Sequence, residues 1–235
     1  MKIGIIGAME VEIAKLRQQL HKAQEHKNAG FTFYTGQLHG VDIVLLQSGI
    51  GKVNAAIGTA LLIDNFKPNY VINTGCAGGF VSDINVGDIV ISTDVRHHDM
   101  DCTVFGYEHG QVPGLPASFK ADKLLTDLAD GAIHQLTDLK TKKATILTGD
   151  QFMNNPARTR ELKERFPLAE AVEMEGAAIA QTCHQFAVPF VVIRAISDIA
   201  GQENAIQYEE FVEVAAINSA NMVMEMIKQL ETKNV

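Results

Sequence analysis

Short runs rich in β-branched residues recur along the chain at Lys2–Gly7, Val41–Gln47, Tyr70–Thr74, Asp88–Ser92, Ala144–Thr148 and Phe190–Ile196. Between several of them, apolar residues fall at helical spacing, as at Ile13, Leu16 and Leu20, or at Ala55, Ala56, Thr59, Ala60 and Ile63. Near-continuous apolar runs belong to strands covered on both faces, and their alternation with helical segments predicts an α/β fold. Phe31–Gly36 and Val41–Gln47 flank His39-Gly40, a turn signal, so an antiparallel hairpin is expected to interrupt the parallel pattern and make the sheet mixed. Gly49-Ile50-Gly51 opens a helix from Lys52 to Phe66 that Pro68 stops. A terminal helix is expected from about Tyr208 to Leu230, with Phe211, Val214, Ala215, Asn218 and Met222 on one face. From Thr93 to Phe119 the pattern breaks down into a long loop, of the kind that is usually functional or part of an interface.

A chain of 235 residues, 46% hydrophobic, can bury one large core, and no repeat or low-complexity linker marks a boundary, so one domain over 1–235 is expected. The formal net charge of −8 and the lack of a Lys/Arg cluster argue against nucleic acid as a partner. Cys76, Cys102 and Cys183 are odd in number and too widely spaced for a zinc knuckle, and read as free thiols of a cytoplasmic protein. The apolar stretch after Lys2 is too short for a signal-peptide core, and no run approaches the roughly 18 residues of a membrane span, so no membrane association is expected.

The strongest chemical signal is Arg194-Ala195-Ile196-Ser197-Asp198, which follows Pro189-Phe190-Val191-Val192-Ile193 without a break. A buried strand that ends in a cation, a hydroxyl and a carboxylate delivers them to the carboxyl edge of the sheet, where α/β proteins place their chemistry. Arg194, if buried, needs a carboxylate partner, for which Glu173 or Glu175 is the obvious source; a purely structural ion pair is the alternative. Asp198 could serve simply as a cap, but burial beside Ile196 and Ile199 would favour the protonated form that a general acid requires. Glu173-Met174-Glu175-Gly176-Ala177-Ala178 reads as a short strand turning into a helix of small residues that would fix its carboxylates. Glu10 and Glu12 suit a first helical turn, and two positions apart on a helix only one of them can face the strand ends.

Other motifs carry less. Gly75-Cys76-Ala77-Gly78-Gly79 could hold an anion on backbone N–H groups or form a plain tight turn, and no Gly-Lys-Ser/Thr follows as a P-loop requires. Gly4 and Gly7 lack the spacing of a dinucleotide fingerprint. His97-His98-Asp99 with Asp101 could ligate a metal, but adjacent histidines diverge, and a solvated or interface loop fits them better.

As a set, Ile6-Gly7-Ala8-Met9-Glu10 with Glu12, Ser48-Gly49-Ile50-Gly51-Lys52, Asn73-Thr74-Gly75, Ala77-Gly78-Gly79, Val172-Glu173-Met174-Glu175 and Arg194-Ala195-Ile196-Ser197-Asp198 resemble the bacterial 5′-methylthioadenosine/S-adenosylhomocysteine nucleosidases over nearly the whole chain. The resemblance implies a nucleoside phosphorylase-like fold, a mixed sheet flanked by helices, in an enzyme of methionine salvage that is typically a homodimer and requires no metal or organic cofactor. It makes Asp198 the acid that protonates adenine N7, oriented by Ser197, and Glu12 the base that activates water, with Arg194 and Cys76 helping to hold that water. Met174 and Glu175 would contact the ribose, Phe152 and Met153 would cover adenine and offer backbone groups to its edge, and Gly78 would line the pocket. Met9, Ile50 and Tyr208 would border the 5′ substituent, and Phe105 and Tyr107 would arrive from the second subunit. Cys76 stands where a serine is usual, and a thiol is the weaker hydrogen-bonding group. The competing readings are a phosphate-dependent purine nucleoside phosphorylase, which needs cations that these motifs supply only at Arg194, and a non-catalytic nucleoside-binding protein, which needs no acid and base.

Overall fold

In a computed structural model, which describes residues 1–80, 84–133, 136, 139–202 and 204–232, the chain builds one mixed sheet with helices on both faces. The order is β1 (Lys2–Gly7), α1 (Glu10–Gln19), β2 (His21–Asn28), β3 (Phe31–Leu38), β4 (Val41–Gln47), α2 (Lys52–Phe66), β5 (Tyr70–Gly79) and β6 (Ile89–His97). A 3₁₀ turn at Thr103–Phe105 follows, then β7 (Phe119–Lys120), α3 (Lys123–Ile133), β8 (Thr141–Thr148), α4 (Pro156–Arg165), β9 (Ala169–Glu173), α5 (Gly176–Gln185), β10 (Phe190–Ile199) and α6 (Asn204–Thr232).

β1 is flanked in parallel by β4 and β5, and its side chains alternate between two cores: Ile3 and Ile5 pack with α1, α3 and α6, while Ile6 packs with α2 and α5. Each fully buried Ile or Leu of this kind contributes ~1.5–3 kcal/mol of transfer free energy. The β3–β4 hairpin is antiparallel as expected, and His39 and Gly40 at its tip both have positive φ, 46° and 77°, matching the twist of a two-residue turn. α2 begins after Gly51 and ends with Lys67 in the left-handed conformation before Pro68.

β10 pairs with β5 on one side and β6 on the other, while β6, β8 and β9 lead back to β5, so these strands close on themselves. The closure gathers the ends of β5, β9 and β10 around one point. A register shift between Ile196 and Asp198 leaves Ser197 as an extra residue opposite β5, a bulge that re-aims the side chains at the end of the strand.

Several expectations need correction. Gly75–Gly79 is neither a turn nor an anion loop, because β5 continues through it, paired with β10 to Gly79. β6 runs on through Thr93–His97, so the long loop is shorter than expected. His97 and His98 are buried, not solvated: His97 Nε2 meets Gln181 Oε1 at 3.0 Å, and burial lowers the pKa of both rings. The terminal helix starts four residues earlier, at Asn204, and its buried face runs through Ala215, Ser219, Met222, Met226 and Leu230, with Val214 exposed.

Candidate active site

A cavity of about 310 Å³ opens where the C-terminal ends of β1, β5, β9 and β10 meet the start of α5. It is lined by eleven of the residues singled out in the sequence: Met9, Glu12, Ile50, Cys76, Gly78, Phe152, Met174, Glu175, Ser197, Asp198 and Tyr208. A larger hollow of about 650 Å³, around Lys120, Lys123 and Pro189, lies away from these groups at the other end of β10.

Glu12 reaches the cavity by helix capping. At the third position of α1, it turns back so that Oε2 accepts from the backbone N–H of Ala8 (2.7 Å) and Met9 (3.0 Å), while Oε1 accepts from Cys76 N–H (2.9 Å). Glu10 instead faces outward and pairs with Arg17. Asp198 arrives from the bulged end of β10, where the Ser197 hydroxyl donates to its Oδ1 at 2.7 Å. Both carboxyl groups depend on missing side chains along β5. A Cβ at Gly78 would stand 3.2 Å from Asp198 Oδ2, and one at Gly75 would collide with both Glu12 and Arg194.

Arg194 does not line the cavity; it lies behind the wall, fully buried. Nη2 pairs with Glu173 and donates to Asn73 Oδ1 at 2.8 Å, and Glu175 Oε2 lies 3.6 Å away. Burial disfavours the guanidinium charge, but Glu173, then Glu175 and Glu12, outweigh it and raise the Arg194 pKa. Among the described residues its Nε and Nη1 have no hydrogen-bond partner, and Nη1 flanks the same point beside Gly75 as Glu12 Oε1. An unsatisfied buried donor facing a carboxylate is a place for a bridging water.

Glu175 caps the start of α5 and accepts from Gly51 N–H at 2.8 Å. Burial, and after it the neighbouring Glu173 charge, push its carboxyl up to about 8. The next N–H of α2, on Lys52, goes to Asp150 Oδ1 at 2.7 Å, which ties the Asp150–Phe152 segment to the same helix end. Met9, Ile50, Phe152 and Tyr208 form the open, apolar side; the Tyr208 hydroxyl donates to Met9 Sδ at 3.3 Å, and its ring meets Phe152 edge-on at 5.6 Å.

One side chain expected in this chain's own pocket, that of Met153, lies elsewhere. The Met153 side chain is buried with Phe80, Leu147 and Leu162 beneath α4, and its carbonyl accepts from Gly201 N–H at 2.9 Å. Phe105 is 78% exposed, and neither it nor Tyr107 lines the cavity. The sequence reading passed over Ala8, Ala77 and Val172 in the lining, and gave Glu173 no more than an ion-pair role. Among the described residues no group of three or more His, Cys, Asp or Glu side chains could hold a metal ion, and no helix is long and apolar enough to cross a membrane.

A model of the phosphorylase superfamily matches residues 2–228. The 5′-methylthioadenosine/S-adenosylhomocysteine nucleosidases of Bacillus velezensis and Bacillus subtilis are 55% and 54% identical over 230 residues, covering 98% of this chain and 100% of each relative. The nucleosidase of Colwellia psychrerythraea 34H, solved with adenine, superposes with a TM-score of 0.96 at 52% identity, covering 98% of this chain and 96% of that one. That of Neisseria meningitidis, solved with methylthio-immucillin-A, gives a TM-score of 0.96 at 46% identity, covering 97% and 99%. The chain therefore belongs to the phosphorylase superfamily and, within it, to the 5′-methylthioadenosine/S-adenosylhomocysteine nucleosidases.

Proposed function

We propose that this cavity hydrolyses the N-glycosidic bond of 5′-methylthioadenosine and S-adenosylhomocysteine, and of 5′-deoxyadenosine, releasing adenine and the 5-substituted ribose. The observation that carries the reading is the pairing, in one cavity, of Asp198 held by a hydroxyl with Glu12 held by three backbone N–H groups. Asp198 gives its proton to adenine N7 as the C1′–N9 bond breaks and its electron pair passes to the purine. Water adds to the anomeric carbon and yields its proton to Glu12, in its carboxylate form, with Arg194 Nη1 steering the water. Glu175 accepts from the ribose hydroxyls beside Met174, and its negative charge, once the bound ribose favours it, stabilises the developing oxocarbenium ion. Phe152 covers the base, and Met9, Ile50 and Tyr208 contact the 5′ substituent.

Hydrolysis is favoured over phosphorolysis because no lysine or arginine is among the described residues lining the cavity, and Arg194 behind it is already matched by carboxylates. The pairing of an acid with a base favours an enzyme over a binding protein. We further infer a cytoplasmic homodimer, in which Phe105 and Tyr107 of one copy cover the open side of the other's cavity. Ile50 at the mouth is 51% exposed, and Val104 and Phe105 are 84% and 78% exposed, apolar surface that such a contact would bury. Free thiols at Cys76, Cys102 and Cys183 fit a reducing compartment. The test is adenine release from the three nucleosides with phosphate varied. Release independent of phosphate, with free 5-substituted ribose, is expected; strict phosphate dependence with a ribose 1-phosphate product would contradict it.

A further inference from the structure

Glu173 takes no direct part in the steps above, yet its carboxylate is the most heavily engaged group beside the cavity. It accepts from the Arg194 guanidinium, the Thr148 hydroxyl, and the backbone N–H groups of Glu175 (3.1 Å) and Gly176 (2.7 Å). Thr148 is itself fixed, since its hydroxyl oxygen accepts from Ala177 N–H at 2.8 Å. A buried carboxylate with this many donors is held in one orientation, and so are the groups that hold it.

Two of those partners lead to reacting groups. Through Arg194, gripped at Nη2 by Glu173 and Asn73, Nη1, without a partner among the described residues, is left beside Glu12. Through the N–H groups of Glu175 and Gly176, the carboxylate sets the backbone from which the Glu175 side chain reaches Gly51 N–H.

We propose that Glu173 is a positioning residue for the hydrolysis: one carboxylate holds both Arg194 and the first turn of α5, and so fixes the attacking water relative to the ribose hydroxyls. The proposal rests on the reading of this cavity as the hydrolytic site. Glu173 also acts through its charge, which after burial is the next cause of the raised Glu175 pKa. Removing that charge lets Glu175 lose its proton at lower pH, an effect that a residue holding only the fold would not have.

The experiment is steady-state adenine release from methylthioadenosine by the full chain as pH is varied, for the wild type, Glu173→Gln and Thr148→Val. Glu173→Gln keeps the side-chain shape and removes the charge; kcat is expected to fall ~100-fold with KM changed less than ~3-fold, as misplaced groups give. Its pH profile is expected to move to lower pH at the limb belonging to Glu175. A kcat within ~3-fold of wild type, or a fall in kcat with the profile unmoved, overturns the proposal. Thr148→Val frees one donor but leaves the charge; kcat is expected to fall ~10-fold with no shift of the profile, and an unchanged kcat overturns the proposal even if Glu173→Gln does not fold. Wild-type turnover separates the two levels of inference: its absence removes the reading of the site and this proposal together, whereas a normal wild type beside an indifferent Glu173→Gln removes the proposal alone.

Discussion

The backbone amide of Cys76 donates to Glu12 Oε1 at 2.9 Å, while Sγ donates to the Val212 carbonyl 3.5 Å away and lies close enough to Glu12 to feel its carboxylate. Burial pushes the thiol pKa upward, so the group is a neutral, weakly donating side chain on the cavity wall. A serine side chain at this position leaves undisturbed the backbone N–H that holds Glu12. Cys76→Ser is therefore expected to keep kcat/KM within ~3-fold of wild type, and a gain or loss above ~30-fold would mean that the side chain itself places the water.

Glu12→Gln tests the base. An amide cannot take a proton, and its NH₂ end cannot accept from Ala8, Met9 or Cys76 N–H. Turnover is expected to drop ~10³-fold while adenine still binds, measured by product release and by calorimetric titration; turnover within ~10-fold of wild type would contradict the assignment.

Arg194 tests the buried charge. Arg194→Leu leaves the buried Glu173 carboxyl group without its cation. Loss of one partner from such a pair costs about 3–5 kcal/mol, to be read from urea unfolding at neutral pH. A change below ~1 kcal/mol would mean that Glu173 is satisfied by Thr148 and the α5 backbone alone.

Glu175 links stability to pH. Its carboxyl is pushed from the ordinary 4.5 up to about 8 by burial and then by Glu173, so within that window the folded chain keeps a proton that the unfolded chain has released. The contribution of this group to stability is fully present below about 4.5 and is lost as pH rises through about 8. Glu175→Gln has no proton to lose, so its unfolding free energy should gain on wild type as pH rises across the window. A difference between the two that is flat with pH would show that Glu175 ionises normally.

The strands and α2 were legible because their signals are local: runs rich in β-branched residues at β1, β4 and β10, and Gly51 and Pro68 bracketing a helix. β2 was not, because His21–Asn28 is an exposed edge strand with no buried face to impose alternation, held by its backbone ladder to β3. The end of β6 was hidden by polar residues whose burial depends on distant partners, as Asp94 accepts from Thr145 at 2.8 Å. Gly75–Gly79 looked like a turn because the need for bare Cα positions comes from Glu12, Arg194 and Asp198, none of them near in sequence. The demand of Arg194 for a carboxylate was readable, since a cation in an apolar strand must be matched; that Glu173, rather than Glu175, takes the closer place was not. The burial of the Met153 side chain apart from Phe152 was not legible, because these adjacent side chains point into different compartments.

The account stands or falls on Asp198 as the proton donor. Asp198→Asn keeps a group that can hydrogen-bond to Ser197 but cannot protonate the purine at this site. Turnover of methylthioadenosine and binding of a non-hydrolysable analogue should be measured side by side on this variant. The predicted result is loss of turnover by ~10³-fold or more with analogue affinity within ~10-fold of wild type; near-wild-type turnover would remove Asp198 from the mechanism and contradict the account.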